Sequence, residues 1–273
     1  MPFDIRLKTP VETLVFRSDV VAIGAFRCGA GEPLFRDSGP CSHHTFVFPR
    51  TSTRIRHDGA RPFVGGPNAV SLYNQSQRYT REAIDAADVS DWYVVADDVL
   101  VAAALEHDPR ADERRPYSAS QVPIDSATYL EQRRLFEAAS ALDPSYVEER
   151  VLAILWRVLG ARPARIRDAV EVVKGRIAAD PSANIPLRAL ASSAGVSVFR
   201  LCREFRASTG TTITEFKHAL RLRTALARLR DGERDLTALA LDLGYSSHSH
   251  FTAAFRRHFG VRPSEVRSLR TLH

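Results

Sequence analysis

The spacing of hydrophobic and polar positions changes along this chain. From about Val11 to Leu105 the apolar residues form short stretches, such as VVAIGAF, HTFVFPR and WYVVADDV, separated by segments with Gly, Pro, Asn and Asp. Short apolar runs between turn signals are typical of strands in an antiparallel sheet or barrel, because each strand ends where the backbone reverses. The pattern therefore predicts a β-rich first domain within residues 1–123.

A different spacing follows the polar, proline-containing segment 106–123, which is interpreted as a surface connection. Apolar residues then recur every three or four positions, as in amphipathic helices, with Asp143 as an N-cap and Pro144 in the first turn. This predicts a helical hairpin over residues 124–160 that links the domains. Its apolar stripe could pack on the first domain or on the same hairpin of a second subunit. The stripe contains Leu130, Leu135, Val147, Val151, Ile154, Leu155 and Val158.

The third region, 163–273, contains an internal repeat. A helix is predicted from Pro163, with Ile166, Val170, Val173 and Ile177 on one stripe. Two similar stretches follow, LRALASSAGVSVFRLCREFRASTG at 187–210 and LTALALDLGYSSHSHFTAAFRRHFG at 236–260. Aligned on Gly195 and Gly244, both have a leucine eight positions earlier and an alanine four positions earlier. A short helix, a glycine suited to a left-handed turn and a second helix are the parts of a helix-turn-helix.

The second helix of each copy is predicted to bury an apolar stripe and to present its other side outward. The buried stripes are Val198, Leu201 and Phe205 in the first copy and Phe251, Phe255 and Phe259 in the second. Outward side chains on such helices can reach base edges or phosphates from a major groove. They are Phe199, Arg200, Cys202, Arg203 and Arg206 in the first copy, and His248, Ser249, His250, Thr252, Ala253, Arg256 and Arg257 in the second.

The positive charge of the chain is concentrated in the same C-terminal region, 163–273. The chain carries +6 overall with a pI near 9.5, and the part from Pro163 onward has 19 Lys and Arg against 10 Asp and Glu. Between the copies, TITEFKHALRLRTALARL predicts a basic helix long enough to hold two recognition helices about one duplex turn apart. An all-α interaction domain with solvated arginines is the alternative. Two arginine-faced copies in the basic half of the chain favour binding of double-stranded DNA.

This C-terminal region resembles the DNA-binding domain of the AraC/XylS transcription regulators over about residues 163–270. The resemblance is carried by LRALASSAGVS, FRASTGTTITEFKHALRLRTALARL and LTALALDLGYSSHSHFTAAFRRHFGVRPSEVR, whose ending includes Gly260, Pro263 and Arg267. It implies base-reading positions at Phe199, Cys202, Arg203, His248, Ser249, Thr252 and Ala253. Arg203 is the leading candidate for direct readout of a guanine, whereas Cys202 and Ala253 are suited only to apolar contact, for example with a thymine methyl group.

The resemblance also implies a role and partners. Most members are activators that bind promoter DNA and contact RNA polymerase, with an N-terminal domain that senses a ligand or dimerises. A cupin-like barrel is the expected form of residues 11–105, although no motif there identifies a small-molecule effector or a cofactor. An N-terminal domain that only docks proteins is the alternative.

Enzyme and metal chemistry are poorly supported by the sequence. There is no Gly-rich phosphate loop, nucleophile elbow or Pro-Cys-His-Arg segment, and the neighbouring Asp97 and Asp98 would diverge on a strand. Cys28, Cys41, His43 and His44 match no standard zinc spacing. Adjacent strand residues point to opposite faces, so one histidine is expected to be buried with a hydrogen bond and the other exposed. We therefore predict no catalytic residues, no metal and no cofactor.

The remaining expectations concern location and assembly. No apolar run is long enough to span a membrane, the N-terminus MPFDIRLKTP lacks the apolar core of a signal peptide, and three scattered cysteines do not suit a disulfide framework. The sequence thus predicts a cytoplasmic, homodimeric regulator with a β-rich domain, a helical linker and an all-α domain.

Overall fold

The computed structural model describes residues 5, 7, 10–37, 39–161 and 167–268. The chain divides into two compact units, Met1–Ala164 and Arg165–His273. Within the described ranges, no helix is long and apolar enough to cross a membrane. Pro163 and Ile166, where the third region was predicted to begin, lie outside the described residues.

The first unit is built mainly from antiparallel strands. In the described part they are β1 (Glu12–Arg17), β2 (Val21–Gly29), β3 (Thr45–Pro49), β4 (Thr53–His57), β5 (Phe63–Gly65), β6 (Ala69–Tyr73), β7 (Tyr79–Ala83), β8 (Ala87–Val95) and β9 (Gln121–Pro123). They form a six-stranded sheet in the order β1-β2-β8-β3-β6-β9 and a three-stranded sheet in the order β5-β4-β7. This confirms the β-rich first domain, although the described ladders do not close into one barrel.

Four α-helices and a short 3-10 helix (Ala139–Ala141) accompany these sheets in the described part of the unit. The α-helices are α1 (Pro33–Arg36), α2 (Asp97–His107), α3 (Ser126–Ala138) and α4 (Pro144–Gly160). Helix α2 shows that the sequence-based placement of its first residues was wrong. Asp97 and Asp98, which had been placed on a strand, lie in the first turn of α2, where the positive end of the helix dipole favours acidic side chains. The supposed connection 106–123 likewise includes the end of α2 and strand β9, which pairs with β6.

Helices α3 and α4 form the predicted hairpin and cover one face of the six-stranded sheet. Asp143 caps α4 as expected, accepting hydrogen bonds from the backbone N–H groups of Ser145 (3.0 Å) and Tyr146 (3.3 Å). Most of the apolar stripe packs into a core that includes Phe46 and Tyr93 of the sheet. The sequence left open whether this stripe packs on the first domain or on a second subunit. In the structure it packs on the first domain of the same chain.

The second unit is helical throughout its described elements. They are α5 (Asp168–Ala179), α6 (Leu187–Ser193), α7 (Val198–Thr209), α8 (Ile213–Arg230), α9 (Leu236–Asp242), α10 (His248–Phe259) and α11 (Pro263–Ser268). Helix α8 begins with a capping box, in which Thr212 and Glu215 satisfy each other's backbone N–H groups. It contacts α7 as well as α10 and α11, so that both helix-turn-helix copies pack on it as a common spine.

Candidate nucleic-acid interface and an internal cavity

The two copies, α6–α7 and α9–α10, have the same turn geometry. The N–H of Val196 donates to the carbonyl of Ala191 (3.1 Å), and the N–H of Tyr245 donates to the carbonyl of Ala240 (2.9 Å). The turn glycines Gly195 and Gly244 have φ values of +64° and +74°, in the left-handed region that favours glycine. The repeat in the sequence is therefore also a repeat in structure.

The second helices of the copies also begin and end alike. Ser197 caps α7 by accepting from the N–H of Arg200 (3.2 Å), and Ser247 caps α10 by accepting from the N–H of His250 (3.1 Å). Each helix has 12 residues and ends at a glycine with positive φ, Gly210 or Gly260. The molecule thus presents two equivalent helices. A protein that binds two neighbouring DNA elements requires such a pair.

Burial on these helices follows the sequence pattern closely. Leu201, Phe205, Phe251 and Phe255 are fully buried, and Phe259 is 8% exposed. Val198 is half-buried. The predicted DNA-binding side chains point outward, and Phe199 is 76% exposed despite being apolar. Exposed with it are Arg200, Cys202, Arg203, Arg206, His248, Ser249, His250, Ala253, Arg256 and Arg257, and Thr252 is half-buried.

The arginines on these faces differ in how far their charge is balanced. Nε of Arg200 lies 3.0 Å from Oε1 of Glu204, one turn along α7. In the described ranges, Arg203, Arg206, Arg256 and Arg257 form no such ion pair, and the guanidinium of Arg203 lies 5.9 Å from the centre of the Phe199 ring. Unpaired guanidinium groups on an exposed helix face are available to phosphates and to guanine edges.

Histidines near these helices have local partners. Nδ1 of His250 lies 3.1 Å from Oγ of Ser246, and Nε2 of His248 lies 3.4 Å from Oγ1 of Thr252. Burial lowers the pKa of His258 to about 4, with Arg223 acting in the same direction, so that His258 is neutral at pH 7. Across the described ranges, no three His, Cys, Asp or Glu side chains gather as metal ligands would.

The burial of His43 and His44 in the first unit differs partly from the prediction. His44 is buried, and its Nδ1 accepts a hydrogen bond from the N–H of Gln75 (3.1 Å). Burial lowers the pKa of His44 accordingly. The other histidine of the pair was expected to be exposed, but His43 is half-buried and lines a partly open cavity.

This cavity has a volume of about 80 Å³ and is bounded by strands of both sheets. Its wall combines apolar side chains, among them Phe26, Val47 and Trp92, with the polar groups of Thr45, Tyr73 and Ser90. No local sequence signal marks it, since its residues come from strands far apart along the chain. A wall that mixes apolar and polar groups is typical of small-molecule sites, and the volume of this cavity suits only an occupant smaller than a drug-sized ligand.

A buried ion pair forms part of the cavity wall. Nη1 of Arg81, which is 3% exposed, lies 2.7 Å from Oδ2 of Asp88. Its Nε and Nη2 donate to the carbonyls of Phe35 (2.8 Å) and Leu34 (2.9 Å). Burial opposes the charge on Arg81, but Tyr79 and Asp88 hold its pKa above the usual value. The guanidinium is thus neutralised by the protein itself.

Comparison with known proteins agrees with the paired helices. A family model described as a helix-turn-helix domain matches residues 190–268. The chain is 25% identical over 242 residues to the transcriptional activator RhaS of Escherichia fergusonii, covering 84% of this chain and 87% of that protein. It is 40% identical over 78 residues to the regulatory protein SoxS of Salmonella typhimurium, covering 29% of this chain and 73% of SoxS.

Among solved structures, ToxT from Vibrio cholerae aligns with 94% of this chain and 100% of its own, at 12% identity and a TM-score of 0.40. An AraC-type regulator from Chromobacterium violaceum aligns with 38% of this chain and 93% of its own, at 27% identity and a TM-score of 0.36.

The duplicated helix-turn-helix and its relatives define the class of protein: a DNA-binding transcription regulator. Within that class, the chain belongs to the AraC/XylS family.

Proposed function

We propose that this protein is a transcription activator that reads a promoter site with α7 and α10, as a homodimer that contacts RNA polymerase. The observation that supports this most directly is the pair of equivalent, outward-facing helices on a common spine. Helix α8 has 18 residues and is therefore about 27 Å long, on the scale of the turn that separates adjacent major grooves. RhaS, which matches most of the chain, is named as an activator.

Different roles are proposed for the exposed side chains. Arg203 is placed to form a bidentate contact with a guanine, with Phe199 and Cys202 adding apolar contact beside it. Arg206, Arg256 and Arg257 contact phosphates and supply the salt-dependent affinity, and Arg200 lies on the exposed face of α7. In α10, the base edges are read by His248, Ser249 and Thr252, Ala253 adds apolar contact, and His250 binds DNA near the start of the helix.

Two arginine variants test these roles. Arg203→Ala should weaken binding to the preferred site by about 1–3 kcal/mol and relax the preference at one base pair. Arg257→Ala should weaken binding to all sequences alike and reduce the salt dependence by about one phosphate contact. The preferred site is first selected from random duplex DNA with the full-length protein, and affinities are then measured at several salt concentrations. Equal losses on selected and random DNA for both variants would refute the division of roles.

For the first unit, we propose an effector-sensing role centred on the cavity lined by His43 and Trp92. Arg81 and Asp88 neutralise each other in its wall, and Glu12, which also lines it, disfavours an anion. The proposed effector is a small, uncharged molecule with an apolar part that packs near Phe26 and Trp92.

Filling the cavity should abolish its ligand response. Ser90 is 5% exposed and lines the cavity, whereas Thr80, between Tyr79 and Arg81 on β7, is exposed and faces the other way. Thermal unfolding of the full-length protein is measured with a panel of small neutral compounds. Compounds that raise the Tm of the wild type should do so in Thr80→Leu and not in Ser90→Leu. Stabilisation by no compound, or equally in both variants, would favour a first unit that only docks proteins.

A further inference from the structure

A short segment between α5 and α6, residues 181–184, contacts parts of the second unit that are distant in sequence. Asp180 holds this segment in a fixed turn, because its Oδ1 accepts hydrogen bonds from the N–H groups of Ser182 (3.0 Å) and Ala183 (3.0 Å). The hydroxyl of Ser182, which also donates to Oδ1 of Asp180, lowers the pKa of Asp180 most, and the two backbone N–H groups act in the same direction. Segment 181–184 thus has a defined shape against which other elements can dock.

Two cationic side chains of α8 bind this segment. The guanidinium of Arg221 donates from Nη2 to the carbonyl of Ser182 (2.6 Å) and from Nε to the carbonyl of Pro181. One turn earlier, Nζ of Lys217 lies 3.3 Å from the carbonyl of Ala183 and 3.4 Å from Oδ1 of Asn184. The segment leading into the first helix-turn-helix is therefore fastened to the spine.

The turn of the second helix-turn-helix closes against the same place. A Cβ atom added at Gly244 would lie 2.7 Å from the carbonyl oxygen of Ser182 and 3.2 Å from Nη2 of Arg221. At Gly195, the equivalent turn glycine of the first copy, an added Cβ would meet no atom of the described residues within 4 Å. This close approach is therefore specific to the second copy and is not a requirement of the motif.

We propose that Arg221, Ser182 and Gly244 form a clamp that fixes the second helix-turn-helix relative to the first, and that this clamp determines which separation of the two DNA elements the protein accepts. The proposal rests on the function proposed above, since it assumes that α7 and α10 read one site together. Arg221 is a positioning residue in this scheme, because it acts on the DNA through the placement of α10.

A phosphate-binding role would be the simpler interpretation of these cations. Arg221 is poorly suited to it, because its side chain is only 6% exposed and its guanidinium is engaged with backbone carbonyls. Burial lowers the pKa of Arg221, whereas Tyr245 and Asp180 act against this shift. Arg221 is thus held inside the unit, while the arginines of α7 and α10 are exposed.

The first test varies the distance between the two DNA elements. From the selected site, duplexes with one base pair added or removed between the elements are made, which rotates one element by about 34° relative to the other. Wild-type protein should lose about tenfold or more in affinity on these duplexes. Arg221→Met should bind the original site more weakly and lose most of this discrimination. Arg188→Met, which removes an exposed arginine from α6, should retain the wild-type spacing penalty.

The turn glycines supply a second, matched pair of variants. Gly195→Ala and Gly244→Ala introduce the same strain at positive φ, but only Gly244→Ala places a methyl group against Ser182. Gly244→Ala should reduce the spacing penalty, while Gly195→Ala should leave it unchanged. Equal penalties in the two variants would overturn the clamp.

A distance measurement separates failure of the clamp from failure of the proposed function. Spin labels are attached to full-length protein at Cys202 on α7 and at a cysteine introduced at Ala253 on α10, with Cys41 replaced by serine. Without DNA, Arg221→Met should broaden the distance distribution that is narrow in the otherwise wild-type protein. An unchanged distribution would overturn the clamp. A broadened distribution in a protein that selects no duplex would overturn the proposed function and leave the clamp supported.

Discussion

At the residue scale, His57 shows how burial alone can set protonation. It lies at the end of β4 and is 1% exposed, with the ring centres of Tyr73 and Phe63 at 4.9 Å and 5.2 Å. Among the described residues, neither of its ring nitrogens has a hydrogen-bond partner. Desolvation therefore lowers the pKa of His57 to about 4, and the folded protein holds it neutral.

This environment predicts a loss of stability in mild acid. The unfolded chain binds a proton at His57 near pH 6.5, whereas the folded chain does so only near pH 4. The free energy of unfolding should thus decrease as pH falls from about 6.5 to about 4, by at most about 3 kcal/mol from this residue. In His57→Phe, chemical denaturation at pH 7 and pH 4.5 should show a smaller decrease. His248→Gln, at an exposed histidine, should behave as the wild type, and a full decrease in His57→Phe would contradict the assignment.

The sequence alone could not show that several arginines are buried. Arg81, Arg133 and Arg221 are 3%, 2% and 6% exposed, although arginine in an unaligned sequence is assigned to the surface. Their partners explain why. Nη1 of Arg133 binds Oδ2 of Asp91 at 2.5 Å across 42 positions, and Arg221 binds carbonyls about 40 positions away. Asp88 and Glu137 lie nearer in sequence to Arg81 and Arg133, but charge pairs at such spacings are usual on solvated surfaces and do not mark an arginine as buried.

At the scale of elements, the helices of the second unit could be predicted because their signals are local. Ser197 and Ser247 each cap a helix through a residue three positions ahead, and the apolar stripes repeat within a single helix. The first unit offers fewer such signals. Strand β8 pairs with β2, from Val21 opposite Val95 to Gly29 opposite Ala87, and this pairing depends on the whole chain. Only Ala96 separates β8 from α2, so the strand and the helix appeared as one apolar run.

At the scale of the whole molecule, the proposed homodimer requires a surface other than the predicted stripe. The stripe of α4 is buried against the chain's own sheet, with Val147, Val151 and Ile154 fully buried. The opposite side of α4 carries Tyr146 and Trp156, both 50% exposed. Large exposed aromatic side chains on one face are characteristic of protein–protein contacts.

Neighbouring elements extend this exposed apolar face. Leu105 of α2 is 51% exposed, and the ring of His107 lies 4.0 Å from that of Trp156 in an edge-on contact that joins α2 to α4. Two copies of α4 that cross antiparallel at Ala153 would bring Glu149 opposite Arg157 of the other copy. Nη1 of Arg157 also lies 2.7 Å from Oε2 of Glu131 in its own chain, so the self-complementarity that a two-fold interface requires rests mainly on the apolar side chains of this face.

We expect Trp156→Ser to weaken self-association of the full-length protein by about tenfold or more, because truncated aromatic residues at an interface centre cost the most binding energy. Sedimentation velocity over a range of protein concentrations measures the dissociation constant. Leu241→Ser is the matched control, since Leu241 is 58% exposed on α9 and should leave association unchanged. A wild-type protein that stays monomeric at every concentration would refute the dimer. Equal weakening in the two variants would place the interface elsewhere, because Leu241 belongs to the second unit whereas α2 and α4 belong to the first.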